Sequence, residues 1–186
     1  KNVWGRLMGI PTLIGSAHTA SNAASVDITS GIDSTYDEYM FVCTALGPAT
    51  DGANFTVQFN VAAASGFNET ITSTFFMATH GQVDDATTFA YVAANDQAQG
   101  TGYQILTDAI GNGSDEGAAG IFRLFAPSNT TYTTHFHSRF SGHTEDNRAA
   151  DAYASGYVNA TGAIDEISFK MSSGNFDGVI QMFGIA

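Results

Sequence analysis

The stretch from Ala163 to Ala186 alternates apolar and polar residues in a way that only an extended chain can use. Ile167, Phe169 and Met171 share one face, with Asp165, Glu166, Ser168 and Lys170 between or beside them. A period of two is the signature of a strand with one face on a core. Ser172-Ser173-Gly174-Asn175 follows, four turn formers that tolerate positive φ or hydrogen-bond their own backbone. Val179 to Ile185 then reads as a second, more buried strand. The pattern predicts a terminal hairpin whose second strand ties the C-terminus into a sheet.

The same grammar runs along the whole chain. Ser25–Thr29 alternates, Tyr39–Leu46 is an apolar run of central-strand length, and Phe55, Val57 and Phe59 alternate with polar residues. Strands are also predicted at Thr70–Thr79, Phe89–Val92, Gly120–Phe125, Tyr132–Phe140 and Tyr153–Val158. In Tyr132–Phe140, Thr134, Phe136, Ser138 and Phe140 fall on one face. Gln104–Ile110 reads equally as a short helix or a strand, and Gly142–Arg148 reads as a charged loop. Loops rich in Gly, Asn, Asp, Ser and Pro separate these segments at the spacing of a sandwich or barrel, giving about ten to twelve strands. No window holds a helical period, and there is no repeat or linker. The expectation is all-β: an antiparallel β-sandwich, jelly-roll-like, over residues 7–186, with residues 1–6 as an N-terminal arm. Leu7–Ile14, interrupted by Gly9 and Pro11, is expected to be either the first strand or part of a docking arm.

Charge narrows the function classes. Six basic residues face eighteen acidic ones, a formal net charge of -12, and no Lys or Arg lies between Arg6 and Arg123. Phosphate neutralisation needs cations, so a nucleic-acid partner is not expected, nor is attraction to an anionic membrane. No apolar run is long enough for a membrane helix, so membrane insertion is not expected. Charged residues make up 13% of the chain against a usual ~25%, so polarity comes from Ser, Thr, Asn and Gly. Cys43 is the sole cysteine and sits in an apolar run, where a thiol behaves as a small hydrophobe. Lys1 is not followed by the apolar block and small-residue cleavage site of a signal peptide. A start other than methionine leaves processing or an incomplete start open.

Candidate chemistry is thin. His135 and His137 share a strand face at a spacing that can chelate zinc, with His143 or Asp146 to complete a site. The plainer reading is a polar stripe on a solvated face. Asp84-Asp85, Asp115-Glu116 and Glu145-Asp146 are acid pairs in turns, without the alternating ligand pattern of a calcium loop. No Gly-x-Ser-x-Gly elbow or phosphate-binding loop occurs. Asn-x-Ser/Thr triplets at Asn54, Asn68, Asn112, Asn129 and Asn159 matter only in a glycosylating host. Tyr36, Tyr39, Tyr103 and Tyr153 are candidate stacking platforms for a glycan, or else strand-end anchors. No catalytic, cofactor-binding or metal-binding residue is assigned, and no enzyme activity or cofactor is expected.

Several stretches together resemble a family of small β-sandwich structural proteins of tailed bacteriophages, often marine. They are Ser25 to Tyr39, Pro48-Ala49-Thr50-Asp51-Gly52-Ala53, Tyr132 to Arg139, Phe169 to Asn175, and the closing Met182-Phe183-Gly184-Ile185. The matching motifs are turns and strand ends, and the similarity runs from about Leu7 onward. The resemblance implies a virion component on the particle exterior, such as a head decoration or tail fibre. It also implies association with copies of itself, a trimer by analogy with fibres, and with other virion proteins. The alternative is a module that reads a host-surface glycan.

Overall fold

The computed structural model describes residues 9–186. The arm at residues 1–6 and the segment from Leu7 to Met8 lie outside the described residues. Within them every regular element is a strand. The chain begins with β1 (Thr12–Leu13), β2 (His18–Ala23) and β3 (Val26–Ile28). The long strands β4 (Glu38–Pro48), β5 (Ala53–Val61) and β6 (Ile71–Gly81) follow. Then come β7 (Thr87–Tyr91), β8 (Ala98–Gly100), β9 (Gln104–Ile110) and β10 (Ala118–Phe125). The chain closes with β11 (Thr134–His143), β12 (Arg148–Val158), β13 (Ile164–Met171) and β14 (Phe176–Ile185).

Ten strands form a large sheet in the order β1-β14-β4-β10-β11-β12-β6-β7, with β2 also on β14 and β8 also on β6. Four form a small sheet in the order β3-β13-β5-β9. Each strand of the small sheet is preceded and followed in the chain by a strand of the large one, so the chain keeps crossing the core. The result is all-β, an antiparallel β-sandwich as strand spacing predicted.

Phenylalanine holds the two layers together. Phe169 on β13 lies 5.5 Å from Phe41 on β4 and 6.0 Å from Phe122 on β10, ring centre to ring centre. Phe59 on β5 meets Phe122 and Phe136 at 6.0 and 5.6 Å, and Phe55 meets Phe140 and Phe176 at 5.7 and 6.0 Å. All eight rings are buried. Tilted and edge-on pairs at these distances add to the area they remove from water. Each ring sits at an inward position of its alternating strand, so sequence period leads directly to core.

The terminal hairpin is corrected. β13 belongs to the small sheet and β14 to the large one, so residues 172–175 form an arch across the core. The arch is pinned on both sides: Ser172 donates its N–H to Asn54 O, and Ala49 donates to Asn175 O, each at 2.8 Å. Gly174 takes φ +69°, and a Cβ there would collide with the Thr50 side chain. Alternation cannot separate the two outcomes, because apolar faces meet a core equally well beside or across from each other. Gln104–Ile110 is a strand, and the loop expected over Gly142–Arg148 shrinks to residues 144–147.

The small sheet's outward face is covered. The Gln58 side-chain amide donates to the carbonyls of Glu69, Thr101 and Gly102 at 3.1, 3.1 and 2.8 Å. Loops thereby close over Thr56, Gln58 and Asn60, all buried. Nothing among the described residues covers the large sheet's outward face in this way.

Candidate functional site

Antiparallel register sets the outward side chains of β10, β11, β12, β6 and β7 in rows across the large sheet. One row runs Ile121, Arg139, Tyr153, Phe76, Tyr91. The next runs Ala119, Ser141, Asp151, Ala78, Phe89. A third runs His143, Ala149, His80, Thr87. Small residues in the second and third rows leave a low strip beside the taller first row. The strip is an open trough of about 820 Å³, walled by Ile121, Arg139 and Phe89. It continues into a second depression of about 640 Å³ that ends at the loops carrying Asp115, Glu116 and Asn147.

The wall is held in place before any ligand arrives. The Arg139 guanidinium donates from Nε and Nη2 to the two carboxylate oxygens of Asp151, at 3.0 and 2.8 Å. It lies 5.2 Å from the Tyr153 ring centre. Tyr153 stacks on Phe76 at 4.8 Å with the rings 7° from parallel, and its hydroxyl donates to Asp151 at 3.3 Å. Phe76 meets Phe89 at 5.8 Å. The Tyr91 hydroxyl donates to the Asp96 carboxylate, which raises the phenol above its ordinary pKa. Hydrogen bonding from Arg139 holds the Asp151 carboxyl below the usual carboxylate range, so the pair stays charged through neutral pH. A bidentate pair of this kind fixes orientation as well as charge.

Charge is sorted between the faces. Of the basic residues described, Arg123 and Arg139 project from this side of the large sheet, together with His80, His135, His137 and His143, while Arg148 sits at the start of β12 opposite Gly81. Each arginine has an acid beside it: Glu38 for Arg123, Asp151 for Arg139, and Asp146 for Arg148 at 3.7 Å.

The structure places the residues singled out from the sequence unevenly, and none falls in a metal cluster. His135 and His137 do share the outward face of β11. His143 is six residues beyond His137 along the same strand, about 20 Å away at the rise of a β-strand, so it cannot complete a site with them. Among the described residues, no group of three or more His, Cys, Asp or Glu is placed to hold a metal. The two rings pack on neighbours instead, His137 on Phe125 at 5.3 Å and His135 on Tyr157 at 5.9 Å. Burial lowers the His137 pKa and the Arg123 charge lowers it further, with Glu38 opposing. The acid pairs serve their turns: Asp84 meets His80 at 3.1 Å, and Glu116 accepts the Gly113 N–H at 2.6 Å.

The four tyrosines divide. Tyr39 is fully buried, and its hydroxyl donates to the Asp33 backbone carbonyl at 2.9 Å while accepting the Asp33 N–H at 2.8 Å. It anchors the loop before β4, and Tyr36 packs edge-on against it at 5.9 Å. Tyr103 donates to Ser168 Oγ at 3.1 Å and lies under Lys170 Nζ at 4.0 Å. Tyr153 alone lies on the trough's face of the sheet, in the taller row between Arg139 and Phe76, from the middle of β12 rather than from a loop. Sequence reasoning missed Ile121, Arg139, Asp151, Phe76 and Phe89. The outward positions of β11 and β12 were readable from alternation, but no signal in the sequence gave the register that brings these residues together.

No family model, no curated protein and no solved structure matches this chain.

Proposed function

We propose that the chain is a non-enzymatic structural component of a bacteriophage virion, on the particle exterior, that works by docking to copies of itself and to other virion proteins. One observation carries the docking role: a whole sheet face, lined by Ile121, Phe76, Phe89, Tyr91 and Tyr153, is left uncovered among the described residues while the opposite face is closed by loops. Phe89 is 75% exposed and Tyr91 57%. Large aromatics held out in water on a rigid sheet are the composition of a contact surface. The virion setting rests on the resemblance of the turns and strand ends to phage structural proteins. Charge supports contact through this face, since Arg123 and Arg139 stand on it in a chain of net charge -12.

The test is co-sedimentation of the purified chain with particles that lack it. Wild-type chain is expected to join the particle, and Ser141→Trp, which fills the trough, is expected to lose at least about tenfold in affinity. Equal incorporation of the two would remove the trough from the contact.

One feature favours a second reading. The exposed ring of Phe89, which lines the trough together with the Arg139–Asp151 pair, offers a stacking face next to fixed donors and acceptors, the two elements a sugar ring needs. In that reading the module binds a host glycan. Retention on immobilised host polysaccharide, abolished by Phe89→Ala, would select it over docking to virion proteins.

A further inference from the structure

Among the described residues, the edges of both sheets carry devices against pairing, with one exception. β2 holds Asn22 at φ 49°, β8 holds Gln99 at φ 59°, and β9 holds Ala109 at φ 51°. Such residues bend a strand out of register with any newcomer. β3 is three residues long with Asp27 at its centre, and β1 is only two residues long. β7, Thr87-Thr88-Phe89-Ala90-Tyr91, has no charge, no proline and no positive φ, and every residue of it is exposed.

The backbone groups of β7 have a definite direction. Val92 donates its N–H to Phe75 O at 3.0 Å, and Ala86 O accepts from Gly81 at 2.7 Å. Backbone groups alternate sides along a strand, so the even-numbered residues of β7 turn theirs to β6. Thr87, Phe89 and Tyr91 turn theirs away from it. We infer that β7 is a self-pairing edge, along which two copies of this chain join antiparallel about a two-fold axis at Phe89, making one continuous large sheet.

The complementarity follows from symmetry. With Phe89 opposite its counterpart, Thr87 of each copy faces Tyr91 of the other. All three are residues whose N–H and C=O point across the join, so every outward group of both strands finds a partner. The side chains of Thr87, Phe89 and Tyr91 lie on the trough side, so the pairing sets Phe89 against Phe89 and Tyr91 beside Thr87. Aromatic and β-branched cross-strand pairs are the favourable ones. The strand itself is uncharged, while Asp84, Asp85 and Asp96 flank it. Association should therefore strengthen as salt screens the acids. This deepens the assembly reading above by naming the surface and a two-fold rather than three-fold contact, and it rests on that reading only for self-association being the chain's work.

Sedimentation velocity on the full chain tests it, at about 50 µM, where a weak edge contact is populated. Wild type should sediment at twice the 19.5 kDa chain mass. Phe89→Lys keeps every backbone group and places like charges on the axis, and should raise the dissociation constant at least about a hundredfold. Phe89→Pro removes an outward N–H, leaves the groups facing β6 intact, and should do the same. Phe89→Cys should form a covalent dimer on oxidation where Val83→Cys does not. A monomeric wild-type chain overturns the proposal. A dimer that Phe89→Lys and Phe89→Pro leave intact overturns the assignment to β7 while self-assembly through another surface stands.

Discussion

Phe169 shows how much one side chain carries. It reaches three rings from the small sheet, Phe55 at 5.7 Å in its own layer and Phe41 and Phe122 across the core. Phe169→Ala is expected to cost about 3–5 kcal/mol, read as a lower urea midpoint with an unchanged slope. His137 is the residue to watch with pH. Its folded pKa lies below 6.5, mainly through burial and then through Arg123. As pH falls below 6.5 the unfolded chain takes up a proton that the folded chain refuses, so stability falls toward the folded pKa. Urea midpoints should therefore drop between about pH 7.5 and 5.5, and drop less in His137→Asn. The Arg139–Asp151 pair changes stability in the same direction but in a lower pH window. Its contribution is present above the ordinary carboxyl pKa of 3.8 and is lost only as pH falls through the lowered value in the folded chain. Residue identity alone did not separate Tyr39 from Tyr153, since both are tyrosines in alternating runs. One anchors a loop in the core and the other stacks between Arg139 and Phe76 on the outer face, because they point to opposite faces of the same sheet.

Elements were legible where alternation is strong. β11 places Thr134, Phe136, Ser138 and Phe140 inward, as its period requires. β4 is central, between β14 and β10, as an unbroken apolar run suggests. What alternation leaves out is pairing. The trough draws its side chains from β10, β11, β12, β6 and β7, and only the register makes Arg139, Tyr153 and Phe76 neighbours. The arch between β13 and β14 was illegible for the same reason, because a hairpin and an arch bury the same faces. The arch depends on backbone more than side chain. Gly174→Val should destabilise the fold, since its φ of +69° disfavours a β-branched residue and its Cβ would meet Thr50. Thermal melts of Gly174→Val and Ser173→Val would separate the two: the first should fall by several degrees and the second should hardly move.

At the scale of the molecule, the sandwich is lopsided. Four strands cover one face of a ten-stranded sheet, and loops cover the far side of the four. The other face of the ten is left to carry exposed aromatics, Arg123, Arg139 and most of the histidines. A far-UV circular dichroism spectrum should be that of a β-protein without helix, in line with 59% strand. The central claim is that this face makes the contact with the particle. Side-chain footprinting of tyrosine and histidine, in the free chain and on the particle, tests it most directly. Tyr91, Tyr153 and His137 should become protected on binding, while Tyr103, on the small-sheet side, keeps its reactivity. Protection of Tyr103 with Tyr91, Tyr153 and His137 as reactive as in the free chain would contradict the account.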